Sequence, residues 1–268
     1  MLVAAALIPE TALLVPGAAG AAEVLTDERD AALDAVRDLV AHGPDRVVVV
    51  AARSRRTSAE DVDPPDVDPR AVHPPESDLA VGEPRSDRLR PTLAAAGIDD
   101  AMLGWPAPAS GPGAVVVQEV GAAVALLLLD RVGWDGPVQV ATVAAEDAPA
   151  LRELGARLVE DTSTTLLLVG SLSARRGPHA PLPQDDRARA FDASVLADLT
   201  DLGPEAVRRL VAVPTDLARD LAVSAWAPWQ VLLGAVGASG LTEPLRAELR
   251  SLSAPYGATY AVLVWGAA

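Results

Sequence analysis

The chain has 268 residues, enough for one large α/β domain, and half of them are hydrophobic while only 3% are aromatic, so Ala, Val and Leu have to fill the core. The net charge of −15 argues against nucleic acid and anionic membranes as partners, because phosphate binding needs clustered positive charge. There is no cysteine, which excludes disulfides, thiolate metal sites and cysteine nucleophiles; all 22 basic residues are arginine, a mark of GC-rich coding rather than of function.

Residues 1–22 are apolar and end in small residues, as signal peptides do, but they lack a basic start and are interrupted by Pro9 and Glu10. No run reaches the roughly 18 apolar residues of a membrane helix, so a cytoplasmic protein is expected. Residues 2–8 read as a buried strand ending at Pro9. Thr26 or Asp27 then caps a helix whose apolar positions Leu33, Val36, Leu39 and Val40 recur at helical spacing, stopped by Gly43-Pro44. The β-branched run over 46–50 is typical of a strand buried on both faces.

Residues 53–90 differ in kind. Pro64, Pro65, Pro69, Pro74, Pro75 and Pro84 stand among many charges, which predicts a long loop. Its Asp61, Asp63, Asp66 and Asp68 lack the turn Gly and closing Glu of a calcium loop. Alternation then resumes: strands over 114–117, 138–143 and 164–169, and helices over 120–132 and 146–158, the second with Asp147 as a cap. Beyond Gly170 helices are expected over 185–199, 204–211, 216–224, 229–236 and 243–250, before a last strand over 259–265. The expected fold class is α/β, a single domain over 1–268 with a central, mostly parallel or mixed sheet flanked by helices.

The chemistry is defined first by what is missing. Neither the P-loop nor the Rossmann glycine pattern is present, and Gly111-Pro112-Gly113 substitutes for neither; there is no G-x-S-x-G elbow. Of the three histidines, His42 sits at a helix end, where a structural role suffices, and His73 lies in the proline-rich loop. His179, between two prolines, is the best catalytic candidate of the three. No two histidines have the close spacing of a zinc motif. Glu10 stands out among the carboxylates because it follows a strand at its carboxyl end, where open α/β sheets bind ligands.

Five ordered segments point further. They are Ile8-Pro9-Glu10 with Leu13-Leu14-Val15-Pro16; Glu119-Val120-Gly121-Ala122; and Val169-Gly170-Ser171-Leu172-Ser173-Ala174-Arg175-Arg176 with Ala190-Phe191-Asp192. The last two are Ala227-Pro228-Trp229 with Leu232-Leu233-Gly234-Ala235, and Ala254-Pro255-Tyr256-Gly257 with Tyr260. Together they resemble the class III extradiol ring-cleavage dioxygenases, the LigB-like proteins, and their MEMO-like relatives. The resemblance implies a single α/β domain and, in active members, a non-haem Fe(II), or Zn(II) in relatives, held by two histidines and a carboxylate, with a further histidine as acid/base.

At each matched position this chain departs from that pattern. Glu10 and Arg53 stand where the metal-binding histidines are expected, Val120 replaces the histidine of the D-H-G-A element, and Ala174 replaces the acid/base histidine. Val223-Ser224-Ala225 stands for a Glu-Cys-Gly segment. A guanidinium repels a dication, and Val and Ala offer no lone pair. No metal cofactor is therefore expected, and Glu10, Arg53, Val120, Ser171 and Ala174 become the expected pocket. Arg53 and Glu10 are expected to pair, the cation standing in for the lost metal.

The leading expectation is a family member that has lost metal-dependent ring cleavage and binds a small molecule or a protein partner. The alternatives are an active oxidoreductase or hydrolase of this fold using His179 with Glu10, Arg53 and Asp192, and an unrelated α/β hydrolase or transferase. A homodimer is a further expectation from the resemblance, with Trp226 and Trp229 as a contact surface.

Overall fold

A computed structural model describes residues 1–53, 79–81, 89–106, 113–145, 147–240 and 245–266. In chain order the elements are β1 (Leu2–Ile8), α1 (Thr26–Ala41), β2 (Arg46–Ala52), β3 (Leu79–Val81), β4 (Leu89–Pro91), β5 (Val115–Val117), α2 (Val120–Arg131), β6 (Val138–Val143), α3 (Ala148–Leu158) and β7 (Thr164–Val169). There follow α4 (Arg187–Thr200), β8 (Asp201–Leu202), α5 (Pro204–Val211), α6 (Thr215–Asp220), α7 (Trp226–Ala238), β9 (Leu245–Ser253) and β10 (Tyr260–Gly266). Eight strands form one sheet in the order β3-β6-β2-β7-β1-β10-β9-β8. The centre, β6-β2-β7-β1, is parallel, and β3 on one side and β10, β9 and β8 on the other are antiparallel to their neighbours. β4 and β5 pair separately as a small parallel ribbon. The expected α/β architecture, a mostly parallel sheet between helices, is the one observed.

The strand residues sort themselves by the two-residue period of extended chain. On β2 and β7, Val48, Val50, Leu166 and Leu168 enter one core with residues of α3 and α7, whereas Val47, Val49, Leu167 and Val169 enter the other with residues of α1 and α2. Both faces are dry, which is why these strands read as unbroken apolar runs. Each such side chain contributes about 1.5–3 kcal/mol relative to its exposed state. α3 and α7 meet backbone to backbone. A Cβ on Gly155 would lie 1.9 Å from the Val231 carbonyl oxygen, and one on Gly234 would lie 1.9 Å from that of Arg152. Only glycine permits this crossing.

Several sequence expectations need correction. The helix expected over 243–250 is the strand β9. Its Arg, Ala, Glu and Leu favour a helix in isolation, but pairing with β10 along its length overrides that preference. The helix expected over 216–224 ends at Asp220. Trp226 and Trp229 are each only 1% exposed within α7, so they belong to the core and form no contact surface. The long loop expected over 53–90 carries β3 and β4, while 54–78 and 82–88, with His73 and the four aspartates, lie outside the described residues. Residues 111 and 112 of the Gly-Pro-Gly turn also lie outside them. α1 starts after Leu25 with no side-chain cap, so neither Thr26 nor Asp27 caps it, whereas Asp147 does cap α3, accepting from the Ala150 N–H at 3.0 Å. No helix among the described residues is long and apolar enough to cross a membrane.

Candidate functional site

The carboxyl ends of the parallel strands open into a cavity of about 660 Å³. Glu10 enters it from the turn after β1, Ala52 and Arg53 from the end of β2, and Val143 and Ala145 from the end of β6. Glu119, Val120 and Gly121 enter from the start of α2, and Ala174, Arg175 and Leu182 from the segment after β7. Ala218, Arg219, Ala222, Val223 and Ser224 close it from the α6–α7 side. This is the position where open α/β sheets bind ligands. The antiparallel strands β9 and β10 contribute nothing to the lining.

The α6–α7 turn determines which groups face the cavity. α6 stops in a Schellman arrangement: the Val223 N–H donates to the Ala218 carbonyl at 2.8 Å, and the Ala222 N–H donates to that of Arg219 at 3.1 Å. Ala222 holds the left-handed conformation, φ 53°, that glycine usually supplies there. The chain thus reverses and presents Val223 and Ser224. Gly170 lets β7 end close against this turn, since a Cβ on it would lie 2.5 Å from the Ala225 Cα. The Ala225 N–H then donates to the Ser171 carbonyl at 3.0 Å, and the Ser171 N–H donates to Ser224 Oγ at 2.8 Å.

The Ser224 hydroxyl donates to the Ser171 carbonyl at 3.4 Å, and the same side chain is the hydrogen-bonding neighbour that acts on the Glu10 carboxyl. Burial pushes that carboxyl above its ordinary value of 4.5; the Ser224 hydrogen bond pulls it part of the way down, and the neighbouring Glu119 carboxylate raises it again. Arg53 lines the same cavity but is not among the groups that act on Glu10. The expected Glu10–Arg53 pair is therefore corrected: Glu10 takes its polar partner from Ser224, because the α6–α7 turn brings the serine to it.

Of the expected pocket residues, Glu10, Arg53, Val120 and Ala174 line one cavity, and Ser171 lies behind it with its backbone on Ser224. His179 and Asp192 are not brought to it. His179 is exposed on the turn after Gly177. Asp192 is buried, and its oxygens accept from the Ser173 N–H at 2.9 Å, the Ser173 hydroxyl at 2.6 Å and the Thr259 hydroxyl at 2.6 Å. It ties α4, the post-β7 segment and the start of β10 together, which is a structural task. The constellation of His179, Asp192, Glu10 and Arg53 is thus not assembled.

Sequence reasoning missed Glu119, Arg175, Arg219 and Ser224. The first two lie inside segments already singled out, one position from Val120 and Ala174, and Ser224 lies in the segment matched to Glu-Cys-Gly. Nothing local to Arg219 marks it.

The donor set does not fit Fe(II) or Zn(II). Among the described lining residues Glu10 and Glu119 are the only carboxylates, no imidazole joins them, and three guanidiniums face the same space. Among the described residues no group of three or more His, Cys, Asp or Glu side chains is placed to hold a metal ion.

No protein-family model matches the chain, and no curated protein matches it. A solved structure does: an uncharacterized protein, JW3007, from Escherichia coli K12, superposes with a TM-score of 0.52 at 15% identity, covering 99% of this chain and 100% of that one. At that identity the likeness is one of fold.

Proposed function

We propose that this chain is a LigB/MEMO-like protein that has exchanged metal-dependent ring cleavage for metal-independent binding of a small molecule in the strand-end cavity. The observation that carries this reading is convergence. Four positions far apart in sequence, each matched to a histidine of the extradiol dioxygenases, line one cavity and hold Glu, Arg, Val and Ala. Their clustering supports the alignment, and their chemistry supports the loss, since two carboxylates among guanidiniums and alkyl groups, with no imidazole among the described lining residues, make a poor dication site. The cavity persists without those ligands and has the size of a small-molecule site. A cytoplasmic location, with a small molecule in preference to nucleic acid or membrane as the partner, completes the reading.

A second reading keeps an enzyme on the same fold with a different constellation. What favours it is Glu10, a carboxyl held above its ordinary range by burial beside a serine hydroxyl, the kind of group that transfers protons near neutral pH. Oxygen uptake with catechol and with protocatechuate, after anaerobic loading with Fe(II), tests the proposal. Uptake at the level of the protein-free control is expected; turnover dependent on the chain and on iron would overturn it.

A further inference from the structure

One stretch at the edge of the cavity is held differently from the rest. The segment after β7 departs at Arg175 and comes back at Asp185, just before α4, and its ends meet: the Asp185 N–H donates to the Arg175 carbonyl at 3.1 Å. Residues 176–184 are therefore a compact loop whose ends are tied together. The first half of the loop is pinned. The Arg176 N–H donates to the Gly257 carbonyl at 2.9 Å, and the Ala180 N–H donates to that of Gly177 at 3.2 Å. Gly257 lets the loop lie against the turn before β10, since a Cβ on it would lie 2.4 Å from the Ala180 Cα.

The second half is held lightly. Pro181 and Pro183 have no N–H to donate, and none of residues 181–184 makes a backbone–backbone hydrogen bond among the described residues. All four are exposed. Gln184 donates to Asp186, its neighbour along the chain, at 3.1 Å. The contact that reaches across the loop comes from Arg175, whose guanidinium donates to the Pro183 carbonyl at 2.9 Å. Segments that open easily have this character: exposed backbone and few packed neighbours. Arg175 and Leu182 both line the strand-end cavity, yet Leu182 is 39% exposed and belongs to neither hydrophobic core.

Resting on the binding function proposed above, we infer that residues 181–184 are a lid on the strand-end cavity, latched by Arg175 through Pro183 and carrying Leu182 as the side chain that closes on a bound molecule. The arm pivots at Ala180, where the loop is seated on Gly257, and its two prolines stiffen it so that it moves as one piece. Leu182 loses its exposed surface when a molecule with an apolar part lies beside it, so such a molecule favours the closed arrangement over the open one.

The chain has no cysteine, so a single Gln184→Cys carries one nitroxide label on the arm. The paramagnetic-resonance spectrum of the labelled full chain, together with binding of the apolar fluorescent probe anilinonaphthalene sulfonate, tests the lid. Without probe, the label is expected to show a mobile population that Arg175→Gln enlarges; saturating probe is expected to shrink it. Leu182→Ser is expected to raise the dissociation rate of the probe about fivefold or more, with association little changed. Its thermal unfolding is expected to match that of the unaltered chain, because Leu182 lies outside both cores, and this separates lost closure from lost fold. Val120→Trp and Ala145→Trp fill the cavity and are expected to abolish probe binding, which places the probe there. A label unchanged by Arg175→Gln or by the probe, or release from Leu182→Ser at the unaltered rate, would overturn the lid and leave the binding function standing. A probe that fails to bind, or that binds both tryptophan variants as before, would remove the binding function and the lid with it.

Discussion

Two of this protein's inward-facing carboxyl groups, Asp192 and Glu10, have opposite surroundings. Asp192 is closed in: both its oxygens are engaged by Ser173 and Thr259, and it lines no described cavity. Glu10 stands at a cavity wall with the Ser224 hydroxyl as its bonding partner and another carboxylate, Glu119, as its neighbour. The first group has its charge answered by the fold. The second has its charge opposed by the fold, an arrangement that recurs at binding and catalytic sites. Both follow stretches that resemble the same family, so resemblance alone does not separate them. Hydrogen-bond partners do.

The contrast is tested most strongly at Asp192. Asp192→Ala leaves one buried N–H and two hydroxyls without their acceptor and is expected to cost about 3–5 kcal/mol in urea unfolding. A loss below about 1 kcal/mol would mean that Asp192 is not the closed group described here. Thr259→Val removes the hydroxyl's bond to Asp192 and the Arg176 guanidinium's bond to that hydroxyl, and is expected to cost about 1.5–3 kcal/mol by the same measurement.

Glu10 is expected to behave in the opposite sense. Its folded value lies above the ordinary 4.5, so the folded state holds the proton more tightly than the unfolded chain does. The stability this contributes is fully present below 4.5 and is lost as pH rises through the raised value. Glu10→Gln keeps the shape without the charge. It is expected to raise the midpoint of thermal unfolding at about pH 8, with the gain shrinking as pH falls toward 4.5. A loss of stability at about pH 8 would place Glu10 in the same class as Asp192. The smallest effect is expected at Ser224. Ser224→Ala withdraws the hydrogen bond that lowers the Glu10 value, so the Glu10 carboxyl is expected to titrate higher by NMR, while stability falls by about 1 kcal/mol through the orphaned Ser171 N–H.

Much of the fold was legible because its central strands are buried on both faces. The runs over 2–8, 46–50, 138–143 and 164–169 announce themselves in composition, and Asp147 announces its helix. β9 did not, because Leu-Arg-Ala-Glu-Leu-Arg carries helix formers, and what makes it a strand is β10, a partner met later in the chain. Trp226 and Trp229 looked like a surface only because nothing local reveals that α7 is covered by α3 and the sheet. The site divides in the same way. Glu10 and Arg53 follow strands, so a rule about strand ends reaches them. Ser224 and Arg219 arrive through a turn that folds back over the sheet from about two hundred residues along the chain, and no short-range pattern encodes that return.

The central claim is that the strand-end cavity has given up its metal. Elemental analysis of untagged protein, before and after anaerobic exposure to excess Fe(II) and desalting, tests it most directly. The account predicts iron and zinc far below one atom per chain in both samples. One tightly held Fe(II) or Zn(II) per chain, lost on substituting Glu10 or Glu119, would contradict it.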